Sequence, residues 1–451
     1  MIILKKVGGS KVSNMKDAPN LENLWMPFSA NRAFKAQPRL MNEAKGVYYK
    51  KVDGTSVLDA TSGLWCCNAG HNHPKIVQAI QTQAGKLDYA PSFQMGHPLG
   101  FKAAEKLLEF SPSNEFQYVF FTNSGSESVD TALKIALGYQ QLRGKQDKTI
   151  LVGRERAYHG VGFGGISVGG LPLNKKHFSL LHNVDHISTT HNLDKNSFSR
   201  GMPEWGAHLA DDLLRIIEKY GADKIAAFIT EPIAGSTGVL IPPLGYLERI
   251  REICTAHDIL LIFDEVITGF GRLGTPFAAQ YFNVIPDMIT CAKGLTSGTV
   301  PMGAVMVKKD IYDMYQNGDP KMIDLFHGYT YSAHPLAAAA LIATLDVYSE
   351  EDLFERASQL ASYWESALHT LKGTEHVIDI RNLGFVGGVE MSSRDDQIGA
   401  RGYDVFETGF NDENILLRFT GDIIALSPPL IAEKKHIDRI IDSLRKIILN
   451  N

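Results

Sequence analysis

The chain has 451 residues, 44% of them hydrophobic and 21% charged, enough for a large core and two or three domains. Its 45 basic and 50 acidic residues leave a formal charge of −5 without a block of one sign, which excludes a surface built for nucleic acid or an anionic membrane. No apolar run reaches the roughly 18 residues of a transmembrane helix, so a cytoplasmic protein is expected.

The opening stretch, MIILKKVGGSKVSN, has four apolar residues before Lys5 and Lys6, too few for the apolar region of a secretion signal. Residues 1–20 therefore read as a flexible lead. Residues 21–65 include GVYYKKVDGTSVLDA (46–60), a hairpin pattern, and are expected to join a small C-terminal domain. Cys66 and Cys67 follow at once. With Cys254 and Cys291 they show no metal-ligand spacing, and two adjacent cysteines pair poorly in a structural disulfide. Free thiols in a reducing compartment are expected.

A large domain is expected over residues 66–333. From Tyr118 to Val307 short apolar runs alternate with amphipathic stretches, the pattern of an α/β domain with a mostly parallel sheet. The runs are YVFF (118–121), TILVG (149–153), IAAFIT (225–230), ILLIFDEV (259–266), DMITCA (287–292) and GAVMV (303–307). Between two of them, LGYLERIREICTAHD (244–258) puts Leu247, Ile250 and Cys254 on one helical face behind Pro242 and Pro243. Residues 333–350 read as a long buried helix leaving this domain. The remainder, 334–451, is expected to form a smaller α+β domain with strands at 376–380, 415–419 and 423–427 and a closing helix from about Glu433.

Three places in the large domain carry chemistry. In FFTNSGSESVDTALKIAL (120–137) a strand runs into Ser124-Gly125-Ser126-Glu127, a capping-box spacing that opens a helix. Such a turn aims free N–H groups at one point and suits a phosphate; the plainer reading is an ordinary N-cap. Asp264 follows five apolar residues and should lie at the carboxyl end of a buried strand, where open α/β sheets bind ligands. A structural ion pair would also satisfy it. A metal held by Asp264 and Glu265 does not fit, because neighbours on a strand face opposite ways. Lys293 ends the run DMITCA, where an unpaired ammonium costs several kcal/mol on the order of magnitude unless it snorkels to water or its charge is removed.

A fourth pattern misleads. Gly160-Val161-Gly162-Phe163-Gly164-Gly165 matches the dinucleotide fingerprint, but no strand immediately precedes it and no helix is expected after it. These glycines are read as letting the backbone pass close to something bulky. A phosphate seat, a strand-end acid and a strand-end lysine together are what pyridoxal phosphate requires: an anchor, a partner for the ring nitrogen, and an amine that engages the aldehyde. Tyr158, in RAYHG, offers an aromatic face or hydroxyl to the ring.

The motifs TNSGSESVDTALKIA, YHGVGFG, EPIAGSTGVL, LLIFDEVITGFGRLG, AKGLTSGTVPMGAV and FHGYTYSAHPLA resemble the class III pyridoxal-phosphate aminotransferases of fold type I. The narrower resemblance, through LWMPFSANRAFK, GLWCCNAGHNHP, DYAPSFQMGHP, SRGMPEWGAHLADDL and LLRFTGDIIALSPPL, is to the β-alanine–pyruvate (ω-amino acid–pyruvate) group. The resemblance implies transamination between an ω-amino acid or primary amine and pyruvate. Another acceptor such as 2-oxoglutarate, or an aminomutase, racemase or decarboxylase on the same scaffold, is the alternative. It further implies Lys293 as the lysine that binds the cofactor covalently and Asp264 as the ring-nitrogen partner. Gly125 and Ser126 would hold the phosphate, helped by Thr330 of a second subunit in a homodimer or homotetramer with shared sites. Tyr158 and Val266 would flank the ring, with Glu231 near its hydroxyl. Phe28, Trp65, Phe93 and Tyr158 would wall the substrate pocket and Arg418 would bind a carboxylate, with Arg381 as its rival. Cys67 departs from the pattern, where a β-branched apolar residue is expected.

Overall fold

The computed structural model describes residues 20–394 and 397–451. The flexible lead expected over residues 1–20 thus lies outside the described residues apart from Asn20. The first sheet opens with β1 (Met41–Lys45), β2 (Tyr48–Lys51) and β3 (Ser56–Asp59), joined antiparallel. The turn between β2 and β3 carries Gly54 at φ +84°, a conformation open to glycine.

Seven strands form the central sheet: β4 (Phe116–Thr122), β5 (Ile150–Arg154), β6 (Val184–Ile187), β7 (Ile225–Thr230), β8 (Leu260–Asp264), β9 (Met288–Cys291) and β10 (Gly303–Lys308). Their order is β4-β10-β9-β8-β7-β5-β6, and only β10 runs against its neighbours. This is the mostly parallel sheet expected from the alternating apolar runs. Every residue of β7, β8 and β9 is buried, because both faces are covered and an apolar run has no solvent side to alternate with. Helix Gly125–Leu142 buries Val129, Ala132, Leu133 and Ala136 against one face, with Leu260 and Ile262 of β8. Helix Tyr246–Ala256 sinks the expected face, Leu247, Ile250 and Cys254, into the cluster on the other side, with Leu261 and Phe263. Helix Pro335–Glu350 packs on helices Pro74–Ala84 and Pro98–Leu108.

The C-terminal part contributes β11 (Val377–Leu383), β12 (Val386–Met391), β13 (Ile415–Leu416), β14 (Arg418–Thr420) and β15 (Ile423–Leu426), then helix Lys434–Leu449. The run at 415–419 is not one strand, as the apolar pattern implies, but two. β13 pairs parallel with β3, Ile415 opposite Leu58, whereas β14 pairs antiparallel with β15 in the sheet β11-β12-β15-β14. The chain changes partner at buried Leu417, and Arg418 starts the second strand. Among the described residues no helix is long and apolar enough to cross a membrane.

Candidate active site

Because β10 alone is reversed, β4, β5, β7, β8 and β9 all point their carboxyl ends to one edge of the sheet. Beyond those ends come Ser124-Gly125-Ser126, Tyr158-His159, Glu231, Asp264 and Lys293 in turn. Five separate segments thus deliver their polar residues to the edge where such sheets bind ligands.

Asp264 is 4% exposed, and each of its carboxylate oxygens has a partner. Its Oδ2 lies 2.8 Å from His159 Nδ1, and its Oδ1 accepts from Val266 N and Thr290 Oγ1, both at 3.2 Å. Beside it Glu231, also buried, accepts from Tyr158 N at 2.9 Å and Gly235 N at 3.1 Å. Burial pushes the Glu231 carboxyl up to about 7, with the His159 charge opposing and the Asp264 charge adding to the rise. Burial likewise raises the Tyr158 hydroxyl.

Lys293 adopts φ +50°, the left-handed region that a side chain with a Cβ enters at a cost of about 1–2 kcal/mol. Gly298 N holds the turn by donating to Lys293 O at 3.2 Å. Among the described residues the Lys293 ammonium has no hydrogen-bond or ion-pair partner. It is half-buried. Burial pulls it down to about 8; the Asp264 charge resists, and the Arg418 charge adds to the fall.

Helix Gly125–Leu142 begins as the capping pattern requires, with Ser124 Oγ accepting from Glu127 N at 3.2 Å. The return bond is shifted by one residue: Glu127 Oε2 accepts from Asn123 N at 2.7 Å. The N–H groups of Gly125 and Ser126 lie in the first turn, where no helical carbonyl reaches them. A Cβ on Gly125 would fall 2.8 and 2.9 Å from the two methyl carbons of Val266, so only glycine fits there. Gly160, at φ +86°, passes Ser126 so closely that a Cβ would lie 2.5 Å from its Oγ. Gly160 therefore makes way for the Ser126 turn, while Gly162 and Gly164 pass the Asp130 carboxylate and Gly165 passes His159 O. One expectation fails here: a short helix, Phe163–Val168, forms over the glycines themselves, so the absence of a helix was not the distinguishing feature.

The two arginines separate cleanly. Arg381 donates from Nε to Gly238 O at 2.9 Å and from one terminal nitrogen to Asp379 and to Glu390, the latter at 2.7 Å. It belongs to a buried ionic cluster that His191 also approaches. Arg418 makes no hydrogen bond or ion pair among the described residues, although it is half-buried and burial lowers its pKa, with only Tyr158 opposing. A half-buried guanidinium without a counter-charge can accept an anion.

Not every residue named from sequence converges. Trp65 is 2% exposed, in the core, with its indole N–H unpartnered. Phe28 and Phe93 are exposed, Phe93 against Gly328. Thr330 is exposed too, with its carbonyl accepting from Tyr89 Oη at 3.1 Å. Conversely, His159 and Thr290, which aim the Asp264 carboxylate, were not singled out. A buried acid needs donors, and the histidine next to Tyr158 in the same turn was the available signal.

The donor set fits a flat, phosphate-bearing cofactor with an aldehyde. It offers unpaired helix N–H groups in a glycine cradle, a buried carboxylate with its geometry fixed, and a lysine whose resting charge is disfavoured. The sequence model of the family aminotransferase class-III matches residues 29–448. An omega-aminotransferase of Caulobacter vibrioides is 60% identical over 432 residues, 96% of this chain and 98% of that one. The beta-alanine–pyruvate aminotransferase of Pseudomonas aeruginosa is 46% identical over 430 residues, 94% of this chain and 95% of that one. Among solved structures, the omega transaminase of Pseudomonas jessenii in complex with PMP superposes with a TM-score of 0.90 at 29% identity, covering 95% of this chain and 96% of that one.

Proposed function

Since the chain belongs to the class III aminotransferases, pyridoxal-phosphate enzymes, we propose that it moves the amino group of an ω-amino acid or primary amine, β-alanine in type, to pyruvate. The products are alanine and a semialdehyde, aldehyde or ketone. The observation that carries this reading is the unpaired, charge-disfavoured Lys293 ammonium lying within the fields of both Asp264 and the uncompensated Arg418.

When bound, pyridoxal phosphate supplies a ring that takes up the electrons left on the substrate carbon as its proton departs. The protein does the rest. Gly125 and Ser126 would hold the phosphate on their free N–H groups, with Thr330 of a neighbouring subunit. Asp264, aimed by His159 and Thr290, keeps a proton on the ring nitrogen. Val266 and Tyr158 would flank the ring, with Glu231 near its hydroxyl. Lys293, whose ammonium burial brings down to about 8, sits close enough to neutral pH both to take a proton from the substrate carbon and to return it. Arg418 binds the α-carboxylate of pyruvate, and Phe28, Trp65 and Phe93 belong to the pocket or its rim. We place the enzyme in the cytoplasm, as a homodimer or homotetramer with shared sites.

The decisive experiment is Lys293→Ala assayed for alanine formation from pyruvate and β-alanine. Turnover should fall by more than about a hundred-fold, the least that loss of a positioned acid–base group usually causes. A smaller loss would remove Lys293 from its role.

A further inference from the structure

Cys66 and Cys67 are used by nothing in the transamination chemistry, yet their placement is specific. Their Sγ atoms lie 3.8 Å apart, on the same side of the backbone. Glycines close over both: a Cβ at Gly63 would lie 3.5 Å from Cys67 Sγ and 3.6 Å from Cys66 Sγ, and one at Gly298 3.2 and 3.0 Å. Gly298 is the residue whose N–H holds the Lys293 carbonyl. Cys66 is half-buried, and a cleft of about 970 Å³ lined by Cys67, His71, Ser297, Gly298 and Thr299 leads in from outside. By contrast Cys254 and Cys291 are fully buried elsewhere.

We propose that Cys66 and Cys67 form a dithiol site for trivalent arsenicals, and that its occupation disables the Lys293 turn beside it. A direct disulfide is the wrong product for this pair. Consecutive Cα atoms are about 3.8 Å apart, short of the roughly 4.4–6.8 Å that a disulfide spans, and its sulfurs must approach to about 2.05 Å. Inserting one thiophilic atom lengthens the link and relieves that constraint. With an organoarsenic oxide the step is balanced without an oxidant: two S–H bonds break, two As–S bonds form, and the oxygen leaves as water. The contact with the Cys67 thiol, helped by the nearby Lys293 charge, draws the Cys66 thiol below its usual range against burial, which favours the attacking thiolate. Any group on arsenic must then occupy the space that Gly63 and Gly298 leave by lacking side chains, displacing the loop that holds Lys293.

The test treats the cofactor-loaded enzyme with phenylarsine oxide and reads intact mass, free thiols after denaturation, and transamination. One phenylarsenic group should add per chain with loss of two titratable thiols, and activity should fall in step. Excess 2,3-dimercaptopropanol should restore it, while a monothiol at the same thiol concentration should not. Cys66→Ser and Cys67→Val should each keep basal turnover, lose the stable adduct and resist inhibition. Should Cys67→Val fail to fold, Cys67→Ser serves the same purpose. No adduct on the wild type, or an adduct that persists in these variants, overturns the site; an adduct without loss of activity overturns its coupling to Lys293.

Discussion

Arg418 and Arg381 look alike in sequence, each an arginine in a short apolar strand of the last third, and only their partners tell them apart. If Arg418 clamps the carboxylate of pyruvate, Arg418→Ala loses a charge-assisted contact of roughly 1.5–3 kcal/mol, about ten- to a hundred-fold in kcat/KM for pyruvate. A neutral aldehyde acceptor, paired with the same carboxylate-free amine donor, should be spared. Equal losses for both acceptors would return Arg418 to a structural role. Lys293 permits a second measurement, in the cofactor-free protein. Only the neutral amine is acylated, so labelling of Lys293 by acetic anhydride should rise through a midpoint near 8, well below the roughly 10.4 of an exposed lysine. Asp264→Asn removes the charge that resists the shift and should move the midpoint lower still. A midpoint unchanged from that of surface lysines would contradict the burial argument. Lys293 and Asp264 were legible in the sequence because a charge after an apolar run is conspicuous. His159 was not, since its role depends on a loop after β5 meeting the end of β8, a juxtaposition no local pattern records.

At the scale of elements, β11 is tied to the loop after β7 through Arg381, whose Nε reaches Gly238 O while its terminal nitrogen serves Asp379 on the same strand and Glu390 on β12. Removing one member of such a buried cluster leaves the others uncompensated. Arg381→Ala should therefore cost about 3–5 kcal/mol of stability, read as a lowered denaturant midpoint, and should slow pyruvate and aldehyde acceptors alike. Full stability in this variant would show the cluster to be well solvated. The central strands were plain in the sequence because burial on both faces makes them continuous apolar runs. The division of 415–419 was hidden for the related reason that its residues stay apolar while their partners change: Ile415 faces Leu58, and Phe419 faces Ile424. Periodicity reports burial, not which strand supplies it.

For the whole molecule, the residues assigned to the pocket or phosphate but left at the surface are informative. Phe93, Phe326 and Tyr331 are all more than half exposed, and Thr330 lies among them. Apolar residues gathered on one exposed face are what a subunit contact covers. Sedimentation should find a dimer or larger at assay concentration, and Thr330→Ala should weaken cofactor binding; a fully active monomer would refute shared sites. Such residues could be named from sequence only through resemblance, because a contribution to a neighbour leaves no trace in the fold of the chain that makes it. The parallel pairing of β3 with β13 has a bearing on how the chain is made. Leu58 waits for Ile415, 415 − 58 = 357 residues later; at roughly 5–20 residues per second that interval is on the order of 20–70 s on the ribosome. Through all of it the β1–β3 hairpins, already able to form, hold one edge unpaired. A segment synthesised early is thus among the last to be completed, and a nascent chain stalled before residue 415 presents a sticky edge along β3.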